Sequence, residues 1–171
     1  MLICNEFWTA LGSIATTVMV ALALYNMHIT KLQIYDNYLL QLINIFKENR
    51  NALSIIHDGE MVFGCEAVKN AIQQFYNSKN YDENMLPTYN SNLYMVNKDI
   101  KNITPYYDSI LYLIERAEKF NRNKYYFRTI MNILTEEERL WFQLLLKYGS
   151  DNMYSDYGLL RKKLTLLGLK A

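Results

Sequence analysis

From Phe7 to Tyr25 the chain reads FWTALGSIATTVMVALALY, nineteen residues without a formal charge, with Glu6 and Lys31 the nearest charges on either side. As a helix rising about 1.5 Å per residue it would be roughly 28 Å long, close to the hydrocarbon thickness of a bilayer. Core helices of water-soluble domains are usually shorter and more often interrupted by charge. A signal peptide needs a basic leader before its apolar run. The leader here is MLICNE, which carries an acid and no Lys or Arg, although Ala21-Leu22-Ala23 has the form of a cleavage site. The expectation is one transmembrane segment over residues 1–30, followed by a helical domain over residues 31–171. Lys31, Lys47 and Arg50 follow the span and no basic residue precedes it. The excess of positive charge on that side puts the N-terminus outside and the domain in the cytoplasm.

Charge and cysteine content narrow the function classes. A formal net charge of +1 over 171 residues gives no global attraction to nucleic acid, so any anion site must be a local patch. Two cysteines, Cys4 and Cys65, are too few for a disulfide framework or a metal cluster. No Gly-rich phosphate loop, metal-ligand spacing or nucleophile motif is present, so no cofactor, no metal and no catalytic set is expected.

Two prolines and six glycines in the whole chain suit a helical protein, and the expected class is all-α. The membrane helix should continue to about Asn49, because no Pro or Gly intervenes between Gly12 and Gly59. Leu32, Tyr35, Leu39, Leu42, Ile43 and Phe46 recur at three- and four-residue steps and form an apolar seam. ALSIIH reads as a short helix or turn before the turn signal Asp58-Gly59. A helix is expected from Gly64 to Asn77 and a polar loop over residues 78–92. Another helix should start near Leu93, and a further one near Pro105, capped by Thr104, with Tyr106, Ile110, Leu113 and Ile114 facing inward. After a break at residues 121–123, a helix is expected over residues 124–132. Thr135 with Glu138 three positions on has the form of a capping box, opening a helix that stops at Gly149. A last basic-apolar helix, LLRKKLTLLGL, closes the chain.

Two patterns are candidates for function. In the membrane segment Ser13, Thr17 and Ala21 lie four apart, with Gly12 and Thr16 on the adjacent ridge. Small residues at this spacing let helices approach closely, and their hydroxyls can bond across a contact or line a polar path through a ring of helices. They can equally bond their own i−4 carbonyls. A pore built from one helix per chain requires a homo-oligomer of roughly four or more copies in membrane lipid. The second pattern is basic and aromatic: Arg116, Lys119, Arg122, Lys124 and Arg128, interleaved with Tyr125, Tyr126 and Phe127, with Arg161, Lys162 and Lys163 as a second basic group. Cations beside rings suit phosphate contact and base stacking, which points to a nucleotide or oligonucleotide ligand. A solvated helical face is the plainer reading of the same residues.

Arg50 and His57, with six residues between them, resemble the Arg-x(4–6)-His motif of HEPN ribonucleases, all-α domains that set this pair at a dimer cleft. That resemblance implies a membrane-tethered ribonuclease. A third reading is an anchor or inhibitor subunit without activity of its own.

A further resemblance covers most of residues 39–168. The succession Gly64-Cys65-Glu66-Ala67-Val68, Pro105-Tyr106-Tyr107-Asp108-Ser109-Ile110-Leu111-Tyr112, Arg128 with Leu134-Thr135-x-x-Glu138, and Leu144-Leu145-Leu146-Lys147-Tyr148 is similar to the phage abortive infection family, the AbiC-like proteins. Members have N-terminal membrane helices, a Gly-x-x-Ala element, a Tyr-Phe-Arg-x-Leu-Tyr helix and an Arg-x-x-Leu-Ser-x-x-Glu-Leu segment. This chain has Asp108 where the family prefers Arg, Thr135 for Ser, and Lys147-Tyr148 for Tyr-Asn. The resemblance implies an antiphage effector in the bacterial inner membrane that disrupts the infected cell's own membrane. It also implies control by a nucleotidyltransferase or another sensor protein, with the basic-aromatic segment as receiver of the signal.

Overall fold

A computed structural model describes residues 2–77, 86–120 and 123–170. The chain is all-α apart from one hairpin: α1 (Leu2–Ala52), β1 (Ser54–His57), β2 (Glu60–Phe63), α2 (Gly64–Asn77), α3 (Leu86–Asp99), α4 (Ile103–Glu118), α5 (Asn123–Ile133), α6 (Glu136–Tyr148) and α7 (Tyr157–Leu166). It divides into two compact units, Met1–Tyr38 and Leu39–Ala171. The division falls inside α1, later than the expected end of the membrane segment at residue 30.

In the first unit every side chain from Phe7 to His28 is exposed. Within α1 the stretch that begins at Phe7 is long and apolar enough to cross a membrane; its 18-residue apolar window has a mean hydropathy of 1.8, and none of it is buried.

The second unit has its own core. Leu39, Leu42, Ile43 and Phe46 of α1 are buried in it, together with Ala67, Val68 and Phe75 of α2, Tyr106, Ile110, Leu113 and Ile114 of α4, and Trp141, Phe142 and Leu145 of α6. The Tyr106 ring stacks on Phe142 with centroids 5.8 Å apart and meets Phe46 at 5.3 Å. The apolar seam of α1 beyond the span is therefore largely core, and from Leu39 onward it is unavailable for contact with another copy. Three- and four-residue spacing marks a face to be covered but does not say by which chain.

Local differences from expectation have local reasons. The segment read as a short helix or turn is β1, paired antiparallel with β2 from Ser54↔Phe63 to His57↔Glu60. Asp58 (φ 52°) and Gly59 (φ 85°) form its two-residue turn, and positive φ at both positions matches the twist of a tight hairpin. β-branched Ile55 and Ile56 suit the strand once that turn supplies a partner. Residues 86–92, expected in a loop, open α3; Pro87 sits in its first turn, where a missing N–H is tolerated. The rest of that loop, residues 78–85, lies outside the described residues. α4 starts at Ile103 behind a left-handed Asn102, so Thr104 is within the helix and not its cap. The Asn102 amide instead donates to Ala52 O at 2.8 Å, fastening α4 to the end of α1.

The capping box at Thr135 is present: Glu138 N donates to Thr135 Oγ1 at 3.2 Å, and Thr135 N donates to Glu138 Oε2 at 2.8 Å. α6 ends at Gly149, whose N–H donates to Leu145 O at 2.8 Å. A Cβ here would collide with that carbonyl and with the Tyr157 hydroxyl, which itself donates to Leu145 O. Gly149→Ala is expected to destabilise the helical unit by about 1–3 kcal/mol, through overpacking of a closed contact. A urea titration of the full chain in detergent checks this, and an unchanged midpoint would contradict it.

Candidate functional site

The small-residue stripe remains intact as a surface. Gly12, Ser13, Thr16, Thr17 and Ala21 are all exposed. Thr16 Oγ1 donates to Gly12 O at 2.8 Å, and Thr17 Oγ1 donates to Ser13 O at 2.9 Å. Each threonine hydroxyl thus places its proton within its own helix and keeps its oxygen lone pairs as outward acceptors. Nothing lies within 4 Å of where a Cβ on Gly12 would stand. In a single copy the stripe has no covering partner.

The basic-aromatic set is reduced by folding. Tyr126 is 1% exposed, so it is a core residue and no stacking platform. Its ring meets Phe120 edge-on with centroids 5.0 Å apart. Arg116 Nη2 donates to the Tyr112 hydroxyl at 2.9 Å, and the guanidinium lies 5.1 Å above the Tyr112 ring. Arg122 lies outside the described residues. Lys119, Lys124, Tyr125 and Arg128 remain exposed, the last three on α5. Of the second basic group, Arg161 and Lys162 are exposed, while Lys163 pairs with Glu118 across α7 and α4.

Arg50 and His57 have separate partners. His57 sits on β1 with Nε2 3.5 Å from the Asp58 carboxylate, in the hairpin turn. The Arg50 side chain enters the core, with Nε 3.2 Å from Oε1 of Glu138, whose side chain is fully buried. Nε lacks the alignment of a hydrogen bond, so charge holds this contact. Arg50 Nη2 donates to Ile133 O at 3.1 Å, Nη1 lies 3.8 Å from Cys65 Sγ, and the guanidinium covers Phe46 at 5.2 Å. The same Glu138 Oε1 accepts a hydrogen bond from the Tyr106 hydroxyl at 2.9 Å.

The Glu138–Arg50 pair therefore gathers four elements: the last turn of α1, the first turn of α4, the end of α5, and the first turn of α6. Burial raises the Glu138 carboxyl above its ordinary value, opposed by the Thr135 N–H, the Arg50 charge and the Tyr106 hydroxyl. Burial and the neighbouring Glu138 charge raise the Tyr106 phenol well above the usual tyrosine range, so it stays a donor. Beside this cluster the Tyr107 hydroxyl donates to Asn97 Oδ1 and accepts from Trp141 Nε1 at 3.0 Å. Asn97 Nδ2 in turn donates to Met153 O at 3.1 Å.

Sequence reasoning missed this cluster because Arg50 stood in a polar run, KENRN, and Glu138 already had a use as a cap. A signal was present. Glu138, Trp141, Phe142 and Leu145 share one face of α6 at steps of three and four, so the box glutamate had to enter the core with the tryptophan. Chemically the cluster is a buried ion pair closed in by core side chains, which fits fastening the last turn of α1 to the core of its own unit. Among the described residues, no group of three or more His, Cys, Asp or Glu is arranged to hold a metal ion. No family model, curated protein or solved structure matches the chain.

Proposed function

We propose that the chain is a single-pass inner-membrane effector that self-associates through the exposed stripe of α1 and permeabilises the bilayer, with the helical unit as its control element. The observation that carries this reading is the uncovered run from Phe7 to His28. In water so long an apolar surface requires cover, whereas lipid supplies it without any protein partner. The stripe of Gly12, Ser13, Thr16, Thr17 and Ala21 adds the means of close helix contact, with hydroxyl oxygens free to accept across it. The resemblance to abortive infection proteins supports an effector that acts on the cell's own membrane, and the basic residues after the span support a cytoplasmic helical unit. The engagement of Arg50 with Glu138 favours a structural role for that arginine over a nucleolytic one.

The test is mass and flux together. Full-length protein purified in detergent is expected to run as an oligomer and, in vesicles, to release a trapped small ion. Thr17→Trp is expected to lower the release at least about tenfold, because a large ring on the stripe separates the helices. His57→Ala is expected to leave release unchanged. A monomer in detergent, or equal flux from vesicles with and without protein, would overturn the reading.

A further inference from the structure

A ring of more than two copies needs two different, complementary patches on each copy, because each interface joins unlike surfaces. The helical unit carries such a pair. One patch is a groove of about 300 Å³ lined by Asp108, Leu111, Tyr112, Glu115, Tyr154 and Asp156. Its lining has three carboxylates, the Tyr154 hydroxyl donates to Asp108 across it, and Arg116 bonds the hydroxyl of Tyr112 beside it. The other patch is the outer face of α5, where Lys124, Tyr125 and Arg128 are exposed, Tyr125 at 61%. Neither Glu115 and Asp156 nor Lys124 and Arg128 enter an ion pair among the described residues. α5 contributes nothing to the groove lining.

The spacing is compatible. Asp108 and Glu115 are two turns apart on one face of α4, roughly 10 Å along its axis. Lys124 and Arg128 are one turn apart on α5, about 6 Å, and their long side chains cover the difference.

We propose that the acidic groove of one copy receives the α5 face of the next, with Lys124 and Arg128 against Asp108, Glu115 and Asp156. The contact rests on the oligomeric membrane reading for its need of more than two copies. Exposed ion pairs contribute little affinity each, so the contact sets partner order and register, whereas a reversed charge set against its like opposes assembly outright.

The experiment is a charge swap in the full chain. Glu115→Lys alone and Arg128→Glu alone are each expected to lower the assembled fraction in detergent about tenfold at low salt. The double variant is expected to recover the wild-type mass distribution, and its recovery shows that both substitutions permit folding. Single variants that assemble normally, or a double variant that stays dissociated, would overturn the docking. If Arg128→Glu abolishes binding of a short single-stranded oligonucleotide and leaves the mass unchanged, α5 is a ligand face and the proposal fails. Vesicle flux separates the two readings. Charge-dependent assembly without flux sinks the effector reading alone, and flux with charge-independent assembly sinks the docking alone.

Discussion

Glu138→Ala is expected to destabilise the helical unit by about 3–5 kcal/mol, the usual effect of removing one partner from a buried ion pair. The variant leaves the Arg50 guanidinium, which is only 12% exposed, without its counter-charge. It also strips the acceptor from the Tyr106 hydroxyl and the Thr135 N–H. Arg50→Ala should be of similar size, because it leaves an uncompensated carboxylate in the core. A paired replacement of both residues by Met should recover most of the loss, since an apolar pair of similar volume has no charge to desolvate. Urea titration of the full chain in detergent gives the measurement, with Trp8 replaced by Phe so that fluorescence reports Trp141 alone. Single variants within about 1 kcal/mol of wild type would show that the pair is not the fastening inferred here.

The same residue sets a pH dependence. Its carboxyl is raised above the reference 4.5 mainly by desolvation, so between that value and the raised one the native state binds more proton than the unfolded chain. Stability from this group therefore falls as pH rises through that window and is level above it. Glu138→Gln should remove the slope, and a slope that persists unchanged would assign it to another group.

The second large effect is expected at Trp141, which is fully buried on α6. Trp141→Ala removes an indole from a packed core, a change that usually costs about 3–5 kcal/mol. It also deprives the Tyr107 oxygen of the Nε1 donor at 3.0 Å. Tyr107→Phe isolates the polar part. It leaves the Asn97 carbonyl without its phenol donor and is expected to cost about 1–3 kcal/mol. Both are read by far-ultraviolet circular dichroism through the urea transition, since the tryptophan reporter is absent from one of them. If Trp141→Ala cost no more than Tyr107→Phe, the hydrogen-bond chain and not the packing would hold this part of the core.

Elements whose signals lie within a few residues were legible. The helix from Gly64 to Asn77, the capping box at Thr135 and the stop at Gly149 each depend on neighbours three or four positions away. The inward residues of α4 followed from spacing alone. The hairpin was harder, because Ser54 to His57 becomes a strand only when β2 is set beside it. Tyr126 could be read as a stacking ring until α5 turned it onto Phe120. The five-residue stripe on α1 was legible as a pattern, and its two threonines use the local carbonyl bonds that the same pattern permits.

By itself the sequence determined the charge-free stretch, its length, the all-α class and the capping box at Thr135. These depend on composition, periodicity and contacts within one or two turns. Only the tertiary structure decided that the seam from Leu39 to Phe46 covers the chain's own core, and that Arg50 meets Glu138 there. A face to be covered is written in the spacing of apolar residues. What covers it, and which distant charge compensates a buried one, depends on packing between elements that no local pattern records.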